Sequence, residues 1–157
     1  MLIPEKKYRE IIDYMPILCV DCFIVQGNDL LLWKRNNEPL KWVWFIPWGR
    51  AFKKETQEQT IKRKILEETW IPIDKDSDIA LLGVYNTFFD MNAFSDHQVT
   101  HTINVTYVLH LPTKSINIIN DDQNEIFKRF DMDTEYDSFH EYIKNLITDY
   151  RKHGKKS

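Results

Sequence analysis

The spacing of apolar residues predicts a short helix near the beginning of the chain. Tyr8, Ile11 and Ile12 recur at intervals of three and four residues behind Pro4. A proline is tolerated at a helix start because the first N–H groups have no carbonyl partner there. We therefore expect an amphipathic helix over residues 5–14.

Apolar runs after this helix predict a hairpin and one further strand. Residues 17–26 and 30–34 are largely apolar and flank a Gly-Asn-Asp turn, which is the pattern of a β-hairpin. A polar loop follows. Residues 42–47 then indicate a short buried strand that Pro47 ends, because proline lacks the N–H group that a sheet ladder requires.

A capping motif predicts the main helix of the domain. Thr56 and Gln59 form a T-x-x-Q box, in which each side chain satisfies a free N–H group of the first helical turn. We expect this helix over residues 57–69. Its core-facing positions are Ile61, Ile65 and Thr69.

The second half of the chain predicts two long strands and a closing helix. The strands cover residues 79–89 and 100–111, and apolar residues alternate with polar ones along the second of them. Helical spacing returns at 136–152. Strands on both sides of a helix, closed by another helix, indicate an α/β sandwich.

Length and composition indicate one globular domain. The chain has 157 residues, of which 43% are hydrophobic and 29% charged, and a single core typically organises roughly 100–200 residues. We assign residues 1–150 to one domain. Residues 151–157 are expected to form a disordered tail.

The charge balance excludes binding to polyanionic surfaces by charge alone. Lys and Arg total 21 against 24 Asp and Glu, a net charge of −3, whereas nucleic-acid and membrane-surface proteins are basic. Any anionic ligand must then be held by a few placed cations. No apolar run approaches the roughly 18 residues of a membrane span, and we expect a cytoplasmic protein without nucleic-acid or membrane partners.

Cys19 and Cys22 form a lone C-x-x-C within a predicted strand. A redox pair or half of a zinc site would need both thiols on one side, but residues three apart in a strand point to opposite faces. No second Cys pair exists. We interpret both as buried thiols in a reducing compartment.

Two adjacent carboxylates at the end of the main helix are the strongest sign of chemistry. Glu67 and Glu68 fall in its last turn, where the helix dipole opposes them by roughly 0.3–1 kcal/mol each. Arg63 and Lys64 stand four residues earlier, so ion pairs on a solvated helix face are the alternative interpretation. A divalent cation would remove the conflict with the dipole, and oxygen ligands suit Mg²⁺.

The segment 49–71 resembles the Nudix box of diphosphate hydrolases. It keeps the charged and glycine positions of the box at full spacing: Gly49, Glu55, Arg63, Glu67 and Glu68. Two positions depart from the box, because Lys64 stands where most members carry Glu and Trp70 where they carry Gly. The resemblance implies a Nudix-like α/β/α sandwich with a mixed β-sheet and a Mg²⁺-dependent hydrolase.

From about residue 8 to 125 the chain resembles one branch of that family, the GDP-mannose mannosyl hydrolases. Similar stretches include Trp44-Phe45-x-Pro47, Gly83-Val84-Tyr85 and Phe88-x-Asp90-x-Asn92. This branch directs water at the anomeric carbon of the sugar and releases GDP and an inverted hexose. The resemblance implies the same reaction on a GDP-hexose, by a homodimer.

The resemblance also implies roles for particular residues. The metal ligands would be the backbone carbonyl of Trp48 and the side chains of Glu68 and Gln123. We expect Glu67 to add a ligand that the branch itself often lacks. Arg35 and Arg50 would bind the diphosphate and stabilise it as it leaves, because a planar guanidinium matches phosphate oxygens. Asp21 would hold sugar hydroxyls, and Arg63 would orient the Glu pair.

The general base of the branch is absent from its usual place. The branch carries a His directly after the Gln, and here this position is Asn124, which can position a water molecule but cannot accept its proton. Thr87 replaces a second, sugar-contacting His. The remaining candidates for the base are Asp122, Glu125, His97 and His101.

Tryptophan replaces glycine at four positions of the family pattern. The chain has only 4 Gly but 5 Trp; the four replacements are Trp33, Trp42, Trp48 and Trp70. A side chain at positive φ costs of order 1–2 kcal/mol. We expect this strain at Trp70, which follows the main helix where the left-handed conformation is usual, and at Trp48 if its backbone is left-handed.

Three functions remain open on the sequence alone. The leading one is hydrolysis of a GDP-hexose at carbon. The second is attack at phosphorus on a nucleoside diphosphate sugar, which gives a nucleotide and a sugar phosphate. The third is a nucleotide-sugar-binding protein with weak or no turnover, since Asn124 and the tryptophans could remove catalysis and leave affinity.

Overall fold

The fold is an α/β/α sandwich whose central sheet mixes parallel and antiparallel strands. A computed structural model describes residues 3–69, 71, 73, 77–94, 99–112 and 127–154. The helices and strands in these ranges are α1 (Glu5–Tyr14), β1 (Ile17–Gln26), β2 (Asp29–Lys34), β3 (Trp44–Phe45), β4 (Trp48–Arg50), α2 (Gln57–Thr69), β5 (Asp78–Phe89), β6 (Thr100–His110), β7 (Phe127–Asp131) and α3 (Glu141–Asp149). The predicted fold class is confirmed.

The sheet is organised around β1. This strand pairs in parallel with β6 along residues 17–25 and antiparallel with β2 along residues 24–26. In its first half β1 pairs with β4 instead, with Asp21 opposite Trp48. β5 flanks β6, and β7 flanks β2. Because β1 pairs with β4 in its first half and with β2 only in its second half, the chain just before α2 lies beside the first half of β1.

The helices close two hydrophobic cores, one on each face of the sheet. α2 covers one face, and its buried isoleucines pack with Val20, Cys22 and Ile24 of β1. α3 covers the other face with Ile143, Leu146 and Ile147. Cys19 and Cys22 belong to different clusters and are free, buried thiols. The prediction that they point to opposite faces is confirmed.

The main helix begins and ends where the sequence predicts. The Thr56 N–H donates to Gln59 Oε1 at 2.8 Å, and the Gln59 N–H donates to Thr56 Oγ1 at 3.2 Å, which is the reciprocal bonding of a capping box. Ile61, Ile65 and Thr69 are all buried. The prediction of a helix over 57–69 is confirmed.

The strands around Pro47 differ from the prediction. The strand predicted over 42–47 is only Trp44–Phe45, and β4 begins directly after the proline, where no strand was expected. Although Pro47 cannot donate, its carbonyl accepts from the Cys22 N–H at 2.9 Å. It therefore continues the contact with β1 through its acceptor. β7 was also not predicted, because charged residues interrupt its apolar pattern.

Along β6, the alternation of apolar and polar residues does not correspond to an alternation of buried and exposed positions. Thr102, Asn104 and Thr106 are buried, whereas Ile103 is only partly buried. Thr102 Oγ1 donates to Asn104 Oδ1 at 2.6 Å, and Asn104 Nδ2 donates to Asp21 Oδ2 at 2.8 Å. The polar face is buried because its groups bond to one another and to β1.

The closing helical segment continues past the predicted domain boundary. A 3₁₀ turn at Tyr136–Ser138 precedes α3, and a π-helical turn at Tyr150–Gly154 follows it. Arg151 pairs with Asp133 and donates to the Met132 carbonyl at 3.0 Å, so the boundary at residue 150 lies inside a continuous helical segment that contacts the loop after β7. None of the helices in the described ranges is long and apolar enough to span a bilayer.

The tryptophans at family glycine positions differ in backbone conformation. Trp33 is buried in β2, with its ring centroid 5.6 Å from that of Phe127, and Trp48 is extended in β4. Trp42 is exposed and has a φ of 69°, so the strain of such a replacement falls here. Trp70 lies outside the described residues.

Replacing Trp42 by glycine should stabilise the protein. The left-handed backbone costs an L-residue roughly 1–2 kcal/mol and the freedom of glycine in the unfolded chain offsets part of this, so the free energy of unfolding should rise by roughly 0.5–1 kcal/mol. Urea denaturation measures the change. Trp44→Gly is the control and should lower stability, because Trp44 packs edge-on against Phe130. A less stable Trp42→Gly protein would mean that indole packing outweighs the strain.

Candidate active site

A cavity of about 730 Å³ opens beside α2, β4 and the loop after β2. Its charged lining consists of Arg35, Lys41, Arg50, Arg63, Lys64, Glu38, Glu67 and Glu68. Cations thus exceed anions by two in the cavity, although the chain carries a net charge of −3. The volume is typical of small-molecule sites, and the local charge favours an anionic ligand.

Arg63 is fixed in the cavity wall by Glu55. Its Nε lies 2.7 Å from Glu55 Oε1 and its Nη2 lies 2.8 Å from Oε2. Glu55 also accepts from the Phe52 N–H and the Thr60 hydroxyl. These hydrogen bonds lower the pKa of Glu55 to about 2, and the hydrogen bond from Arg63 has the largest effect. Arg63 Nη2 further donates to the Arg50 carbonyl at 3.2 Å, which ties α2 to β4.

Glu67 and Glu68 converge on the ammonium group of Lys64. The Lys64 Nζ lies 2.5 Å from Glu68 Oε1 and 3.4 Å from Glu67 Oε2. Arg63 Nη1 approaches the same Glu67 oxygen at 3.4 Å. Burial raises the pKa of Glu68, and the neighbouring Lys64 opposes this rise. The paired carboxylates therefore line the cavity with cations in contact.

Arg35 and Arg50 present guanidinium groups that are supported by aromatic rings. Arg35 Cζ lies 4.9 Å from the Trp48 ring centre, and its Nε donates to the Pro39 carbonyl at 2.7 Å. Arg50 Cζ lies 4.5 Å from the Tyr8 ring centre. Burial lowers the pKa of Arg35. Because rings support these cations without consuming N–H donors, donors remain for an anion.

β4 brings Trp48 to the same cavity as the two carboxylates. The contact with α2 is close at Gly49, where a Cβ would lie 2.5 Å from Lys64 Cδ. Two carboxylates and an adjacent backbone segment provide the hard oxygen donors that Mg²⁺ prefers, so these residues fit a divalent cation. Within the described ranges, no three His, Cys, Asp or Glu side chains are grouped to hold a metal.

Asp21 lies behind the cavity wall and is fully buried. Its Oδ2 accepts from the Tyr142 hydroxyl at 2.6 Å and from Asn104 Nδ2 at 2.8 Å. Burial raises its pKa to about 7, although both hydrogen bonds oppose the rise. Tyr142 also shares a 3.0 Å hydrogen bond with Thr106. The structure therefore does not bring Asp21 to the cavity surface, where we expected it to meet a sugar.

The positions predicted around the missing base are only partly described. His101 Nε2 bonds Asn86 Oδ1 at 2.9 Å, and its ring stacks on Phe88, outside the cavity lining. Thr87 is buried, and its hydroxyl has no partner among the described residues. The others lie outside the described residues: Asp122, Gln123, Asn124, Glu125 and His97. Their roles stay predictions.

Several residues that line the cavity were not predicted from the sequence, among them Tyr8, Glu38 and Lys41. Tyr8 was interpreted only as an apolar position of α1, yet its ring packs edge-on against Phe94 and under Arg50. Glu38 and Lys41 belong to a polar loop. The sequence of α1 and that of the loop after β2 contain no local pattern that indicates a site. Both segments come close to α2 only when the sheet assembles.

The sequence profile of the NUDIX domain matches residues 15–152. The chain belongs to the Nudix family. It is similar to the low-salt glycan biosynthesis protein Agl8 of Haloferax volcanii, with 26% identity over 145 residues that cover 92% of this chain and 88% of that protein. An ADP-ribose pyrophosphatase of Methanocaldococcus jannaschii is 41% identical over 83 residues, 52% of this chain and 46% of that protein.

Solved structures support the same fold. A MutT Nudix hydrolase from Burkholderia pseudomallei aligns with a TM-score of 0.65 at 21% identity, covering 86% of this chain and 98% of that one. A bifunctional NMN adenylyltransferase/ADP ribose pyrophosphatase from Francisella tularensis aligns with a TM-score of 0.71 at 18% identity, covering 95% and 44%. Nudix hydrolases act on nucleoside diphosphate derivatives and generally use divalent metals such as Mg²⁺, which agrees with the charged cavity.

Asp21→Asn should change how stability depends on pH. Folding raises the pKa of this carboxyl from 3.8 to about 7, so the stability it contributes is present below about pH 4 and is lost as the pH rises to about 7. Asparagine keeps an acceptor for Tyr142 and Asn104 but does not ionise. The free energy of unfolding of the variant, relative to the original protein, should therefore rise between about pH 4 and 7 and then level off.

Urea denaturation at a series of pH values measures this difference. Other titrating groups are common to both proteins and cancel in the comparison. A difference that stayed constant across the range would show that Asp21 ionises alike in the folded and unfolded chains.

Proposed function

We propose that this protein is a Mg²⁺-dependent hydrolase of a GDP-hexose of the GDP-mannose type, with water attacking the anomeric carbon. The observation that carries the proposal is that Arg35 and Arg50 share one cavity with Glu67 and Glu68. A diphosphate needs the cations, and a metal needs the carboxylates. The resemblance to mannosyl hydrolases supports the reaction at carbon, and the name of the Haloferax volcanii relative is consistent with a nucleotide-sugar substrate.

The metal would be held by the carbonyl of Trp48 and the side chains of Glu67, Glu68 and Gln123. A bound Mg²⁺ would supply positive charge against the diphosphate. Arg63, which is fixed by Glu55, would orient Glu67 from the preceding turn of α2. Three of these four ligands would therefore come from α2 and β4, which Arg63 ties together.

Arg35 and Arg50 would stabilise the leaving group. As the bond between the anomeric carbon and the diphosphate oxygen breaks, the electron pair stays on oxygen and negative charge develops there. Cations facing that charge act on the transition state, which is where stabilisation raises the rate. The rings of Trp48 and Tyr8 support both guanidinium groups, so they need little reorganisation.

Asn124 would position the attacking water by hydrogen bonding. Since an amide cannot accept a proton, the proton of that water must pass to another group. Among the described residues that line the cavity, the proton acceptors are the carboxylates of Glu38, Glu67 and Glu68. The proposal therefore places the base either among these or in the segment around Asn124.

Attack at phosphorus is the second candidate reaction. The specific observation in its favour is the 41% identity over 83 residues with a protein named as a pyrophosphatase. On a GDP-hexose this reaction would give GMP and a hexose phosphate. A binding protein with weak turnover is the third candidate.

Water labelled with heavy oxygen distinguishes these reactions. With GDP-mannose and Mg²⁺ we expect the label in the released sugar and none in the nucleotide, because the new bond forms at carbon. Mass spectrometry of both products provides the measurement. Label in a phosphate would establish attack at phosphorus, and binding of GDP-mannose without product would establish the third function.

Glu68→Gln should abolish the Mg²⁺-dependent activity or lower it by roughly a hundredfold or more, because one charged ligand to a hard cation is lost. The unfolding temperature without metal should change little, because the loss of the ion pair with Lys64 and the removal of a charge that the helix dipole opposes offset each other. Glu58→Gln, an exposed position of the same helix, is the matched control and should keep full activity. Normal turnover by the Glu68 variant would exclude Glu68 as a ligand.

A further inference from the structure

The two carboxylates at the end of α2 already have a cation between them. Lys64 Nζ lies 2.5 Å from Glu68 and 3.4 Å from Glu67, and the Lys64 side chain is only 17% exposed. A surface lysine ordinarily extends its ammonium group into water. The Lys64–Glu68 pair is therefore packed into the cavity wall, whereas the Glu67 side chain at its edge is 50% exposed.

The aliphatic stem of Lys64 is held against β4. A Cβ on Gly49 would lie 2.5 Å from Lys64 Cδ and 2.6 Å from Cε, so the lysine occupies space that any other residue at position 49 would fill. Packing fixes the stem, and the two carboxylates fix the ammonium group. Both ends of the side chain are thus constrained in one position.

This position has a consequence for metal binding. The ammonium group and a divalent cation would use the same carboxylate lone pairs, and two cations cannot share them at close range without strong repulsion. The box position that most family members fill with Glu carries the opposite charge here, at Lys64. The substitution therefore changes the charge beside the carboxylates by two units.

We propose that Lys64 is a built-in counter-ion of the metal site, which holds Glu67 and Glu68 together in the metal-free protein and is displaced when a divalent cation binds. This inference rests on the metal site proposed above. The lysine stabilises the metal-free helix end, where the dipole and mutual repulsion oppose both carboxylates. It lowers metal affinity by the same interaction.

Calorimetric titration with Mg²⁺ tests the effect on affinity. We expect Lys64→Gln to lower the dissociation constant roughly tenfold or more, because a competing charge in contact with both carboxylates is removed. Lys62→Gln is the matched control, since Lys62 is exposed on the same helix and the change of charge is the same. It should leave the dissociation constant within roughly twofold, because exposed charges are screened.

Thermal unfolding provides a second readout. In metal-free buffer Lys64→Gln should unfold at a lower temperature than the original protein, because the carboxylates lose their counter-ion. Saturating Mg²⁺ should raise the unfolding temperature of the variant more than that of the original protein, since the tighter ligand stabilises more at a given concentration. An equal rise in both proteins would contradict the proposal.

Chemical acetylation tests the proposal on the original protein, without any substitution. If Mg²⁺ displaces the ammonium group, acetylation of Lys64, followed by mass spectrometry, should increase severalfold at saturating Mg²⁺, while acetylation of Lys62 stays constant. Unchanged labelling of Lys64 under metal saturation would overturn the proposal.

The Glu68→Gln protein separates failure of this inference from failure of the proposed function. If Mg²⁺ binds the original and Lys64→Gln proteins equally, or binds the variant more weakly, and Glu68→Gln abolishes binding, the metal site stands and the role of Lys64 is wrong. If none of the proteins binds Mg²⁺, the metal site and this inference are both wrong.

Discussion

The paired hydrogen bonds between Arg63 and Glu55 are the interaction on which the cavity depends. They join the middle of α2 to the loop that follows β4, and the same guanidinium reaches the Arg50 carbonyl and the Glu67 carboxylate. Both partners are partly buried, and a bidentate pair fixes orientation as well as distance. The end of α2 and the strand that carries Arg50 are thereby held in a fixed arrangement.

The two carboxylates at the end of α2 are paired with neighbouring cations. The carboxylates of Glu67 and Glu68 contact Lys64 and Arg63, while Arg35 and Arg50 rest against aromatic rings. The cavity can then carry a surplus of positive charge on an acidic chain. Such an arrangement favours a ligand with several negative charges, and it suits the nucleoside diphosphate derivatives on which Nudix hydrolases act.

A second polar group lies on the opposite side of β1. Asp21 on β1, Asn104 on β6 and Tyr142 on α3 share hydrogen bonds, and all three are buried. Buried polar groups are tolerated when they bond to one another, and they then specify one packing of helix on sheet. The network thus positions α3 while Arg63 positions α2.

The sequence by itself determined the elements that depend on near neighbours. The capping box, the spacing of Ile61 and Ile65, and the spacing of the box residues act within a few turns of one helix, so they could be predicted without the sheet. The same holds for the C-x-x-C pair, because strand geometry alone separates its faces.

Only the tertiary structure decided which of these residues meet. Asp21 lies 83 positions from Asn104 and 121 from Tyr142, so neither its burial nor the buried polar face of β6 had a local signal. β4 after Pro47 exists because β1 offers it a partner, and Lys64 lies inward because Gly49 of that strand leaves space. The physical reason is the same in each case: the energy comes from contacts between segments that chain spacing does not relate.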